Sequence, residues 1–112
     1  MNLSHEIKGE VCVISIENQV GEGVGLEFKN YIGAILLKDD TIKNFILDFE
    51  KAKSIDSRGI GVIASTIKVI NKREGGLVFC GVPPEIFKIF SIVKLDKIIK
   101  FFPGREEALA SF

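Results

Sequence analysis

The sequence predicts an α/β domain, with a mixed, mainly parallel sheet of four to five strands flanked by about four helices, in one unit spanning residues 1–112. Three features lead there. From the middle of the chain onward, short β-branched apolar runs alternate with segments whose apolar residues recur at helical spacing, the pattern of right-handed crossovers in a parallel sheet. The first two runs are separated only by a turn, so the chain opens with an antiparallel hairpin. With 46% hydrophobic and 27% charged residues, the chain can build a continuous core without metal or disulfide support.

The elements follow in order. A short strand over Leu3 to Ile7 turns through Lys8-Gly9-Glu10 into a β-branched strand over Val11 to Ile16. The polar stretch Glu17 to Gly25, with glycines at 21, 23 and 25, reads as a surface loop. Phe28, Ile32, Ile35 and Leu36 then recur at i, i+4, i+7 and i+8 and predict a helix that ends at Asp39-Asp40-Thr41. Phe45 to Phe49 has the continuous apolarity of a central strand. Ile60, Ile63, Ile67 and Ile70 form the stripe of a second helix, with Gly75-Gly76 as its stop. Leu77 to Val82 is a further strand, and Pro83-Pro84 suits a helix start because a missing N–H costs nothing there. Ile86, Ile89, Phe90 and Val93 should face inward, Lys97 to Phe102 gives the last strand, and Arg105 to Phe112 a closing helix.

Composition removes several function classes. Fifteen basic and fifteen acidic residues cancel, so no global field draws the chain to nucleic acid or anionic lipid. No apolar stretch approaches the roughly 18 residues of a membrane helix, so no membrane insertion is expected and the chain reads as cytoplasmic. Cys12 and Cys80 lie inside apolar runs and read as buried reduced thiols. His5 is the single histidine and no cysteine pair has ligand spacing, so neither a metal nor another cofactor is expected. The glycines at 21, 23 and 25 do not make a nucleotide loop, because position 26 is Leu and no Gly-Lys-Ser/Thr follows. Lys68, Lys72 and Arg73 read as a solvated helix face.

The segment Ser54-Ile55-Asp56-Ser57-Arg58-Gly59-Ile60-Gly61 joins a predicted strand to a predicted helix. In parallel sheets functional loops lie beyond the carboxyl ends of the strands, and this segment leaves its strand there. A hydroxyl at a helix start lies near unpaired backbone N–H groups and the positive end of the helix dipole, a site suited to a phosphate. Asp and Ser are also the ordinary helix caps, and that plain reading stands beside the functional one. Gly59 and Gly61 either keep the surface low around Ser57 or let the helix pack closely on the sheet. Arg58 reads as a solvated helix residue, as a holder of a phosphate on Ser57, or as a contact for an acidic partner. A serine hydrolase is disfavoured and stays a third class for an ester-substrate assay to test: the residues two before and two after Ser57 are Ile55 and Gly59, so the G-x-S-x-G elbow is missing, and His5 lies in the first strand.

Asp56-Ser57-x-Gly59-Ile60-Gly61, preceded by Asp48-Phe49 and followed by a helix and Gly75-Gly76-Leu77, resembles the STAS domain, specifically bacterial anti-sigma factor antagonists. The resemblance spans nearly the whole chain, including Leu95 to Lys100 and the terminal Glu106-Glu107-Ala108 helix. It implies a partner switch and no enzymatic activity. An anti-sigma factor serine kinase, bringing its own ATP and magnesium, would phosphorylate Ser57; the unphosphorylated protein would bind that factor and free a sigma factor; a serine phosphatase would reset the switch. Asp56, Arg58, Gly59, Ile60, Gly61 and Glu22 are the partner-facing residues this implies. Two positions depart from the family pattern, the stretch Glu17 to Glu22 and Arg58, where a small residue is usual. The alternative is a STAS scaffold, or a subunit of a signalling or lipid-transport complex, in which Ser57 is only a cap.

Overall fold

The computed structural model describes residues 2–21 and 24–112. Gly9, with φ at +64°, closes a tight hairpin between β1 (Asn2–Lys8) and β2 (Val11–Val20), which pair antiparallel. The remaining strands are β3 (Asn44–Asp48), β4 (Ala52–Ile55), β5 (Leu77–Cys80) and β6 (Lys100–Phe102), and every pairing among them and with β2 is parallel. The sheet order is β1-β2-β3-β5-β6, with β4 paired to the outer end of β2. Among the described residues three α-helices connect strands, α1 (Val24–Lys38), α2 (Ser57–Lys72) and α3 (Pro84–Ile92), with a 3-10 turn at Leu95–Lys97 before β6, and α4 (Arg105–Ala110) follows β6.

Strand alternation divides the core between the two sheet faces. Ile14, Leu47 and Phe79 point to one face, where they meet Phe28 and Ile32 of α1, Ile63 and Ile67 of α2, and Phe90 of α3. Phe49, Phe79, Phe90 and Phe101 form an aromatic cluster there, with adjacent ring centroids 5.1 to 5.9 Å apart. Val13, Ile46 and Val78 point to the opposite face, which the short α4 covers through Ala108. Arg105 holds α4 in place. Its Nε donates to Asp48 Oδ2 at 2.5 Å and its Nη1 to Glu6 Oε1 at 3.1 Å, and these carboxylates raise the guanidinium's pKa, with the bond to buried Asp48 foremost.

Several elements depart from the sequence expectation for identifiable reasons. The polar stretch after Ile16 continues as strand to Val20, because the parallel pairing with β4 gives its backbone a partner. That β4 is itself an addition, a sixth strand whose Ala52 and Ile55 are buried while Lys53 and Ser54 are exposed. Helix α2 is ended not by a glycine but by Glu74, which takes the left-handed conformation at φ +60°. Gly75 serves close approach instead: a Cβ there would lie 2.2 Å from the Lys43 carbonyl oxygen. Val93 leaves the inward stripe because α3 ends at Ile92 and Lys94 turns left-handed at φ 65°. The last strand begins only at Lys100, since Lys97 belongs to the 3-10 turn. Cys12 and Cys80 are buried and free, as expected from their apolar runs.

Candidate functional site

Strand β4 delivers the chain to the carboxyl end of the sheet, and Asp56 begins α2 there. Asp56 has extended backbone angles (φ −116°, ψ −176°) and its N–H donates to the Val20 carbonyl at 3.1 Å, so the cap is tied to the end of β2. Its Oδ1 accepts from the N–H groups of Arg58 (2.9 Å) and Gly59 (3.1 Å), two of the donors a helix start leaves without intrahelical partners. Its Oδ2 accepts from Arg58 Nη2 at 2.8 Å. The Arg58 side-chain bond, followed by the Gly59 N–H, holds the Asp56 carboxyl below the usual carboxylate range. Ser57 is therefore the first helical residue, exposed, beside a carboxylate already engaged by a guanidinium and two amides.

Glycines fix the positions of these groups. A Cβ on Gly59 would lie 2.2 Å from the Val20 carbonyl oxygen and 2.7 Å from Ile55 Cγ1, so the first turn of α2 can press onto β2 only with hydrogen at that position. Gly21 is buried, and a Cβ there would lie 2.5 Å from Asp56 Oδ2. The loop expected around this residue is thus the wall against which the cap rests. Gly61 differs, since a Cβ there would meet nothing within 4 Å. It borders an open groove of about 620 Å³ between α1 and α2, whose lining includes Gly25, Lys29, Ile32, Val62 and Ser65.

The matches to known proteins agree with this fold. The model of the STAS domain family matches residues 2–108. The chain belongs to the STAS domain family. An anti-sigma F factor antagonist of Paenibacillus polymyxa is 28% identical over 67 residues, covering 60% of this chain and 57% of the relative, so the match spans little more than half of that protein. Among solved structures, an anti-sigma factor antagonist from Mycobacterium paratuberculosis superimposes with TM-score 0.83 at 20% identity, covering 98% of this chain and 92% of that one. The Bacillus cell fate determinant SpoIIAA in its phosphorylated form gives TM-score 0.76 at 18% identity, each chain covered to 98%.

Within this STAS domain, Asp56, Ser57 and Arg58 come together on the surface, and Gly61 opens onto the groove one turn away. Gly59 does not lie on the rim assigned from sequence. It is buried beneath Val20, so it seats the helix and offers a partner no contact, and Ile60 is half-buried against the core. Glu22 lies outside the described residues. The surface loop expected around Gly21 misses its role as the wall of the cap, and nothing in the sequence marks the Val20 carbonyl. Among the described residues no three of His, Cys, Asp or Glu cluster as metal ligands, and no helix is long and apolar enough to cross a membrane.

Proposed function

We infer that this STAS domain is an anti-sigma factor antagonist whose complex with an anti-sigma factor serine kinase is controlled by phosphorylation of Ser57. The observation that carries this reading is the exposed hydroxyl at the first position of α2, set beside a carboxylate that already takes the Arg58 and Gly59 amides. A phosphate there adds a charge of about −1.5 to −2 next to Asp56, where two helix-start donors are committed. An interface built around the bare hydroxyl then has to desolvate two anions side by side. A penalty of about 3 kcal/mol weakens affinity more than a hundredfold, so one modification changes partner without refolding the domain. Arg58 partly offsets the cost by swinging between the two anions, which keeps the modified fold intact while leaving the surface altered. The domain is substrate and binder, the kinase supplies ATP and magnesium, and a serine phosphatase reverses the mark. The names of the relatives support the antagonist part of this reading.

Incubation with ATP and the kinase-type anti-sigma factor of the same organism tests it. Phosphate should appear on Ser57 and vanish in Ser57→Ala, and Ser57→Asp should weaken the complex at least tenfold. A stable complex indifferent to Ser57→Asp, with no label at position 57, would show a scaffold in which the serine is only part of the cap.

A further inference from the structure

Helices that start at the carboxyl end of a parallel sheet finish at its amino end. The end opposite Ser57 is thus built from the last turns of α1, α2 and α3, and the chain crosses it once more between Ile92 and Lys100 on the way to edge strand β6. This crossing is a compact double turn. Lys94 N–H donates to Ser91, Lys97 N–H to Lys94, and Ile98 and Ile99 N–H both to Leu95. Leu95 and Ile99 anchor it in the core, 6% and 7% exposed. Ile92 and Ile98 point outward at 79% and 65% exposure, with Val93 at 45%. Isolated apolar residues on a surface are ordinary, but three within seven residues on one braced corner form a patch.

The charges around that patch are of one sign. Lys94, Lys97 and Lys100 are exposed, while the only acid within the turn, Asp96, is half-buried with its Oδ1 sealed from solvent. The neutral total of the chain conceals a separation. At the Ser57 end Asp48, Glu50, Asp56, Glu85, Glu106 and Glu107 stand with Lys51, Lys53, Arg58 and Arg105, a net acidic set, whereas the exposed charges of this corner are Lys94, Lys97 and Lys100. Two copies meeting through the corner would bring like charges face to face. Protruding isoleucines ringed by lysines match instead a deformable surface that is apolar below and anionic above.

We propose that the corner formed by the end of α3, the 3-10 turn and the start of β6 adsorbs to anionic lipid surfaces. Ile92 and Ile98 enter the headgroup boundary, Lys94, Lys97 and Lys100 pair with lipid phosphates, and the Ser57 end faces away into solution. This is peripheral adsorption, not insertion, and it leaves the Ser57 site accessible to its partners. The binding surface is independent of the phosphorylation reading, because it shares no residue with that site.

Co-sedimentation of the full chain with vesicles tests it, comparing phosphatidylglycerol mixed into phosphatidylcholine with phosphatidylcholine alone, at low and high salt. Binding is expected to the anionic vesicles only and to weaken with salt. Lys94→Glu with Lys97→Glu should lower it by more than tenfold, since each lysine near an anionic surface contributes about fivefold. Ile92→Ser with Ile98→Ser should lower it by about tenfold, and because all four side chains are exposed the variants should keep the parent's circular dichroism and melting curve. The proposal is overturned if anionic vesicles leave the protein in the supernatant or if both double variants bind like the parent. It is also overturned if the parent forms a dimer that Ile92→Ser with Ile98→Ser dissolves, which would assign the corner to a second copy.

Discussion

Helices α2 and α3 start at the same end of the sheet and in the same layer, yet their first turns are built on opposite principles. Asp56 caps α2 with a carboxylate that takes two amides and a guanidinium, and the helix is pressed onto β2 through a residue that tolerates no Cβ. Helix α3 begins with Pro83 at the cap and Pro84 as its first residue, and no side chain bonds to its amides. Proline rigidity sets one start and polar chemistry the other. A helix N-terminus at the functional end of a sheet is therefore not enough to make a site. What distinguishes α2 is an exposed hydroxyl held beside an anion whose position the surrounding backbone dictates.

The strongest way to break this comparison is to give Gly59 a side chain. Gly59→Ala places a methyl against the Val20 carbonyl and should cost about 3 kcal/mol, read as a lower urea midpoint. If the midpoint is unchanged, the first turn of α2 is as loosely seated as that of α3 and the contrast disappears. Asp56→Ala should lower the urea midpoint by less than Gly59→Ala does, through loss of the cap. The Asp56 carboxyl sits below its ordinary 3.8, so its contribution is present above that value and is lost as pH falls through the lower folded value. An acid titration of stability should therefore lose one component in Asp56→Asn, which keeps an acceptor without the charge. The smallest effect sharpens the picture from the other side. Gly61→Ala meets open space and should raise stability by about 0.5 to 1 kcal/mol, so two glycines two residues apart should respond with opposite signs.

Legibility in the sequence followed the range of the physics involved. Helices α1 and α2 are plain in the sequence because their apolar periodicity repeats within one segment, with Phe28, Ile32, Ile63 and Ile67 buried as that pattern requires, and strand β3 is plain from its unbroken apolar run, Phe45 to Leu47 all buried. Strand β4 was not, since four residues with only Ala52 and Ile55 inward carry too little pattern to separate from a loop. The end of β2 was hidden for the same reason: its backbone is satisfied by β4, and polar side chains there say nothing of that. At the site, the pairing of Asp56 with Ser57 was readable because capping is a local matter. The contact between Gly21 and the Asp56 carboxylate joins parts of the chain far apart in sequence, and only the fold brings them together. Gly59 and Gly61 looked equivalent on paper, and the position of one carbonyl oxygen tells them apart.

The burial of Cys12 and Cys80 has a consequence of its own. Burial pushes their thiols up to about 11 and about 12, so at neutral pH scarcely any thiolate exists to attack hydrogen peroxide or a foreign disulfide. Oxidants that disable proteins through reactive cysteines therefore find both thiols shielded until the chain unfolds.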